Sequence, residues 1–221
     1  MDAQTQACIR QCLNEIPLLA QPALGGQAKA SIGDGIAGDL TAPINDEELI
    51  AAAVLVPIIS RPNGLSILLT KRSDNLEKHA GQVSLPGGQV EDSDNGYVAT
   101  ALRETEEETG IKREYITVLG GLDECRTGTG YRIIPVVALL QPGFSLVPDQ
   151  SEVAEIFEAP TSYLFDSANH GRGSFERGGR HREFYDINFD GHRIWGATAA
   201  ILVNFYSKLH DFNYVDLVTS P

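Results

Sequence analysis

A chain of 221 residues suits one domain with appended segments, or at most two small domains. Hydrophobic residues make up 42% and charged residues 21%, the balance of a globular chain rather than a disordered one. Seventeen Lys and Arg against thirty Asp and Glu leave a net charge of −13, which argues against non-specific binding to nucleic acid or to an anionic membrane, since both want a basic surface. The longest apolar run, residues 49–59, is interrupted by Pro57 and falls far short of the roughly 20 residues that span a bilayer. The N-terminus carries Asp2, Gln4 and Gln6 and lacks the basic-then-apolar layout of a secretory signal. Cys8, Cys12 and Cys125 are too few and too unevenly placed for a disulfide framework, and Cys8 and Cys12 lack zinc partners at useful spacing. The expectation is a reduced, cytoplasmic protein with a single core.

Residues 1–47 read as an N-terminal extension. Within it, 7–20 has the period of a short amphipathic helix, with Ile9, Leu13, Ile16 and Leu19 or Ala20 on one side. Gly25, Gly26, Gly33, Gly35 and Gly38 follow in a stretch without apolar period, which reads as a linker. A phosphate cradle would need a strand before it and a helix after it. Residues 48–210 form the main domain and 211–221 a C-terminal tail. Runs 49–59 and 65–70 read as strands joined through Arg61-Pro62-Asn63-Gly64, a local hairpin signal. A short extended piece, 82–85, ends at Pro86-Gly87-Gly88. Residues 97–109 give the clearest helix, with no Gly or Pro inside and Gly110 just past the end. Strand-like segments follow at 115–119 and 131–140, and 162–165 begins a short helix. Segments 183–187 and 193–195 bracket Asp190-Gly191, a second hairpin, and 197–209 is apolar and of helix length. The pattern is α+β, one mixed sheet with helices on both faces.

Between residues 91 and 108 stand seven acids, Glu91, Asp92, Asp94, Glu104, Glu106, Glu107 and Glu108, and one base, Arg103. At about 100° per residue, Glu104, Glu107 and Glu108 share one stripe of the helix and Glu106 points away. Like charges four residues apart, close to a helix C-terminus, oppose helix stability. A divalent cation reverses that sign, because hard cations take carboxylate oxygens. Arg103, four residues before Glu107, can hold that carboxylate in place. The bland reading is a solvated acidic face. An EF-hand loop fails on spacing, since starting at Asp92 puts Tyr97 where glycine belongs and starting at Glu91 puts Leu102 at the bidentate acid.

Leu85-Pro86-Gly87-Gly88 before the helix lets the backbone approach a metal or phosphate closely. Together with Arg103-Glu104-Thr105-Glu106-Glu107-Glu108-Thr109-Gly110-Ile111 it resembles the Nudix box, whose core reads Arg-Glu-U-x-Glu-Glu-x-Gly-U, with U a bulky apolar residue. Asp94 stands in for the first Glu of the box, one residue further from the Arg than usual, and Thr105 occupies a U position. Leu68-Leu69-Thr70-Lys71-Arg72-Ser73, Leu76, His79-Ala80-Gly81-Gln82-Val83, Tyr131-Arg132-Ile133-Ile134-Pro135-Val136, Ser151-Glu152-Val153 and Ile194-Trp195-Gly196-Ala197-Thr198 are similar to the coenzyme A pyrophosphatase subfamily. Glu77 stands where a base is usual there, and Leu85 where Phe is usual.

The resemblance, over about residues 50–205, implies a Nudix-type α/β/α sandwich and hydrolysis of a nucleoside diphosphate derivative by water attack on its pyrophosphate. The first-choice substrate is coenzyme A or an acyl-CoA. ADP-ribose, a dinucleotide or a nucleoside triphosphate, or a non-catalytic nucleotide-sensing domain, are the alternatives. By position, Glu104, Glu107 and Glu108 would bind Mg²⁺ or Mn²⁺, with the carbonyl of Gly87 or Gly88 as a further ligand. Gly88 also belongs to the turn that lets backbone approach a substrate phosphate. Glu152 is the candidate general base, against a plain role as an acid at a helix N-terminus, and Glu104 is the second choice. Arg72 reads as a guanidinium fork on phosphate or as a surface charge. His79 reads as a substrate contact or as a hydrogen-bonded structural imidazole. Arg172, Arg177, Arg180 and Arg182 form a basic island that could steer an anion or simply be solvated. Residues 1–47 could extend across a homodimer. Glu108→Gln would delete a metal charge from an exposed face.

Overall fold

Two long strands that run parallel organise the molecule. The computed structural model describes residues 1–16, 31–33, 49–177 and 180–220. In it β2 (Ile50–Arg61) and β8 (Tyr131–Leu140) pair from Ile50 against Tyr131 to Ile59 against Leu140. Both are dense in Val, Ile, Leu and Ala, as expected of strands covered on both faces. β3 (Gly64–Arg72) folds back on β2 through Pro62-Asn63, with Gly64 at φ 112°. β4 (Val83–Ser84) and β9 (Val153–Pro160) pair with β3. β5 (Gly87–Gln89) pairs with β2 over Ala52 to Val54. Beyond β8 lie β6 (Ile116–Gly121) and β7 (Glu124–Arg126), and β1 (Ser31–Gly33) runs parallel to β7. A second, three-stranded antiparallel sheet holds β10 (Gly171–Arg177), β11 (Arg180–Phe189) and β12 (His192–Trp195). Of the basic island, Arg172 is exposed on β10; the side chains of Arg177, Arg180 and Arg182 lie outside the described ones.

Alternation along the central pair sends successive side chains to opposite faces. Ala53, Leu55, Ile134, Val136 and Ala138 meet Tyr97, Ala101 and Leu102 of α2 (Tyr97–Thr109). Val56, Ile58, Val137 and Leu139 belong to the opposite layer with Ile201, Leu202 and Phe205 of α4 (Gly196–Asp211). The result is the expected mixed α+β sandwich. Two short helices, α3 (Thr161–Leu164) and α5 (Val215–Thr219), close the α4 side, where Thr161 donates its hydroxyl to the carbonyl of Leu65. Among the described residues no helix is long and apolar enough to cross a membrane.

The first helix corrects the 7–20 expectation. It is α1 (Ala3–Cys12), because the Asp2 carboxylate accepts from the Thr5 N–H at 2.8 Å and from its hydroxyl at 2.9 Å and so fixes the start. It stops because Asn14 exchanges both backbone hydrogen bonds with Gly121 of β6. Leu19 and Ala20 lie outside the described residues, as do Gly25, Gly26, Gly35 and Gly38, while Gly33 ends a strand. Ile9 is fully buried in the α4-side core with Cys12. Asn14, Asn204 and Lys208 all converge on the Asp123 carboxylate, at 2.8, 2.8 and 2.9 Å. This segment is therefore part of the core. Ile9→Ala is expected to lose about 2–5 kcal/mol of unfolding free energy in urea titration; a loosely attached helix would lose almost none.

Candidate active site

The carboxylates sit on α2, which is helical because thirteen residues run without Gly or Pro between Gly96 and Gly110. Its C-terminus is closed from two directions. Gly110, at φ 75°, donates to the Glu106 carbonyl. The connection 141–152 then lays the N–H of Val147 on the Thr109 carbonyl at 2.8 Å and that of Asp149 on the Glu108 carbonyl at 3.2 Å.

β5 passes directly under this helix. At Gly88 a side chain has no room: a Cβ would stand 2.5 Å from the carboxyl carbon of Glu104 and 2.6 Å from its Oε2. The Gly87 N–H points at Glu108 Oε2, 3.3 Å away. Gly87 itself, at φ 153°, is pressed onto β2, where a Cβ would collide with the carbonyl oxygen of Ala53. The expectation of an exposed Glu108 is wrong. Its side chain is 3% exposed, because α2 sinks its last turn between β5 and the 141–152 connection. Burial pushes its carboxyl up to about 8, against the pull of the Gly87 N–H and of Arg72, and the negative charges of Glu104 and Glu152 push the same way. Glu104 is likewise raised by burial, against Arg103, with Glu107 and Glu152 adding repulsion. Glu107 is 58% exposed. Glu106 turns outward to Lys112 at 3.3 Å.

Arg103 joins these groups. Its Nη1 reaches Glu104 Oε1 at 3.0 Å and Glu107 Oε2 at 2.8 Å, and Nη2 reaches the Gln89 carbonyl of β5 at 3.1 Å. The dominant partner is one the helical spacing misses. Asp94 accepts from Nε and Nη2, both at 3.0 Å, in a forked pair, and also from the Thr100 hydroxyl and the Glu91 N–H. The Arg103 hydrogen bonds hold Asp94 down to about 2. Asp94 thus orients the arginine that orients two carboxylates.

Glu152 does not begin a helix. It lies in the turn before β9, its N–H on the Asp149 carbonyl at 3.0 Å and its own carbonyl accepting from Ser73 at 2.7 Å. Its negative charge acts on both Glu104 and Glu108. Arg72 ends β3 beside it, with Nη1 3.9 Å from Glu108 Oε1 and a buried Nε that has no hydrogen-bond partner among the described residues. His79 is exposed in the loop after β3, at φ 57°, with Nδ1 2.9 Å from Gln82 Oε1 in that same loop. Glu77 and its neighbour Lys78 are both exposed there. The structure thus gathers Glu104, Glu107, Glu108, Gly87, Gly88, Arg103, Arg72 and Glu152, and gives His79 a partner within its own loop.

The donor set is oxygen-only, three carboxylates beside a glycine backbone that a Cβ would fill, which fits a hard divalent cation and not a soft one. The Glu108 carboxyl, whose ionisation burial opposes and which has Arg72 only at 3.9 Å, is the electrostatic counterpart of that fit, because a cation would favour its charged form. Among the described residues no three acidic, histidine or cysteine groups stand as a finished cation cage, and Arg103 holds two of the carboxylates.

Residues 49–175 match the NUDIX domain family. The chain belongs to this family. Among its relatives, an uncharacterized Nudix hydrolase called NudL in Photorhabdus laumondii is 43% identical over 151 residues, covering 68% of this chain and 80% of that protein. The NudL protein of an Escherichia coli O7:K1 strain is 40% identical over 152 residues, covering 68% and 78%. A solved MutT/nudix family protein from Enterococcus faecalis is 17% identical, with 77% of this chain and 67% of that chain covered and a TM-score of 0.47. The chain is accordingly a Nudix hydrolase. Nudix enzymes act on small nucleotide substrates and generally use divalent metals such as Mg²⁺ or Mn²⁺.

Proposed function

We propose that this Nudix hydrolase cleaves the pyrophosphate bond of coenzyme A or an acyl-CoA, releasing 3′,5′-ADP and 4′-phosphopantetheine or its acyl form. The observation that carries the hydrolytic reading is the convergence of Glu104 and Glu108 with the Gly87-Gly88 backbone, Arg72 and Glu152. The substrate class is supported by the segment from Leu68 to Gly88. Its similarity to the coenzyme A pyrophosphatase signature spans β3, the loop after it and β5, and Ser73 ties that loop to Glu152. Glu104, Glu107, Glu108 and the Gly87 carbonyl would hold Mg²⁺ or Mn²⁺. Such ions neutralise phosphate charge and lower the cost of the displacement when bound.

The residues divide the remaining work. Arg72 offers its free Nε and fork to a phosphate oxygen. Gly88 lets that phosphate approach the backbone. Asp94 and Arg103 hold Glu104 and Glu107 in register. Glu152 takes the proton from the attacking water, and Glu104 is the second choice for that role. This reading places the enzyme in a reducing cytoplasm, where Cys8, Cys12 and Cys125 stay outside any disulfide.

Chromatographic product analysis tests it. The protein is incubated in turn with coenzyme A, ADP-ribose, NADH and a nucleoside triphosphate, each with Mg²⁺ and then Mn²⁺. The expected result is 3′,5′-ADP and 4′-phosphopantetheine from coenzyme A, with the others cleaved slowly. Preferential cleavage of another compound overturns the substrate and points to the Glu77 departure. Cleavage of none moves the weight to an untested nucleotide or to a nucleotide-binding role.

A further inference from the structure

The 141–152 connection does more than close a helix end. Asp149 Oδ1 accepts both the N–H of Ser151, at 2.9 Å, and its hydroxyl, at 2.7 Å. The Asp149 carbonyl accepts the N–H of Glu152 at 3.0 Å and of Val153 at 2.8 Å. Its own N–H donates to the carbonyl of Glu108 at 3.2 Å. One exposed residue therefore shapes the turn that carries Glu152 and fastens it to the backbone of the most buried carboxylate. From the other side, Ser73 of the segment after Arg72 donates to the Glu152 carbonyl at 2.7 Å. The Glu152 backbone is held between α2 and β3, and its exposed side chain carries a charge that acts on Glu104 and Glu108.

We propose that Asp149 is a positioning residue: its carboxylate locks the turn that presents Glu152 to Glu104 and Glu108. The proposal rests on Glu152 being the proton acceptor. The two bonds from Ser151 to Asp149 Oδ1 make an Asx-type turn that fixes the backbone immediately before Glu152. Here the turn fixes the backbone from which the Glu152 side chain extends. A displacement of about 1 Å at a reacting group can cost on the order of 10²-fold in rate.

The test is a double-mutant cycle read as kcat and KM with the fastest-cleaved of the four compounds above. The variants are Asp149→Ala, Asp149→Asn, Glu152→Gln and the Ala/Gln double. Asp149→Ala is expected to lower kcat by about 10-fold or more with KM changed less than about 2-fold. Asp149→Asn keeps an acceptor oxygen and returns kcat to within about 3-fold of the parent. In the Glu152→Gln background, Asp149→Ala changes kcat by less than about 2-fold, because the group it positions is gone. Equal losses in both backgrounds, or an Asn variant as impaired as Ala, overturn the proposal; a mere loss of folded protein gives the first of these. A Glu152→Gln enzyme with parental kcat removes the proton-acceptor reading and this proposal with it. An impaired Glu152→Gln beside a fully active Asp149→Ala overturns the role of Asp149 alone.

Discussion

Replacing Glu108 by Gln is expected to lower kcat by about 10³-fold or more while leaving the metal-free protein at least as stable as its parent. The shape change is small, but the carboxyl beside Gly87 and Arg72 that would ionise to hold a cation is gone. Stability moves the other way because ionising that carboxyl is costly. The Glu108 carboxyl is pushed from 4.5 to about 8 in the fold. Between those values the folded chain holds a proton that the unfolded chain has released, so parental stability is greatest at low pH and falls as pH climbs from about 4.5 through 8. Glutamine does not titrate and removes this component of the slope. Urea unfolding in EDTA at pH 5.5, 7 and 8.5 reads it directly, with the variant gaining on the parent by roughly 1.4 kcal/mol per pH unit at most. Full activity in a folded Glu108→Gln enzyme would take Glu108 out of the chemistry. Equal pH slopes for parent and variant would show that the carboxylate ionises without penalty.

Two adjacent glycines should separate catalysis from folding. The atoms nearest a Cβ at Gly88 are those of the Glu104 carboxylate, the far end of a side chain that can swing away. Gly88→Ala is therefore expected to fold, with a loss below about 1 kcal/mol. Displacing Glu104 breaks its alignment with Arg103 and lowers kcat by about 10²-fold. A Cβ at Gly87 meets backbone instead, 2.6 Å from the Val54 Cα and against the Ala53 carbonyl, at a φ of 153° that favours glycine. β2 is the central strand and cannot yield, so Gly87→Ala is expected to cost upwards of about 3 kcal/mol. Unfolding midpoints and kcat measured on both variants check the contrast. A Gly88→Ala enzyme with parental kcat would refute the apposition of Gly88 and Glu104 as a working element.

The elements with strong local signals were legible in the sequence. α2 spans Tyr97–Thr109 and β8 spans Tyr131–Leu140, the limits that uninterrupted helix formers between glycines and a continuous apolar run dictate. α1 shows where periodicity alone misleads. The apolar stripe favours 7–20, yet the pairing of Asp2 with Thr5 is a local cap and sets the start. At the site, the helical stripe gives the directions of Glu104, Glu106, Glu107 and Glu108 but not their depth. Depth depends on β5 pairing with β2 under the helix and on the 141–152 connection folding over its end, both contacts between distant segments. The fork from Asp94 to Arg103 spans nine positions and leaves the helix, so no rule of three or four residues finds it. Nothing in the spacing of Asp149, Gln150 and Ser151 says that they form a turn facing α2.

The parallel pairing of β2 with β8 also bears on how the chain reaches its fold. Its partners lie about 80 positions apart, and closing so long a loop is repaid only once ten successive pairs form, which places folding in the slow, high-contact-order range of milliseconds to seconds. The surface that receives α2 is made of Ala53 and Leu55 from one of these strands and Ile134 and Val136 from the other. Half of that docking surface emerges from the ribosome well after the carboxylate helix itself. A nascent chain that has only reached Gly110 therefore carries its acidic helix without a complete seat, and the site takes shape only when β8 arrives.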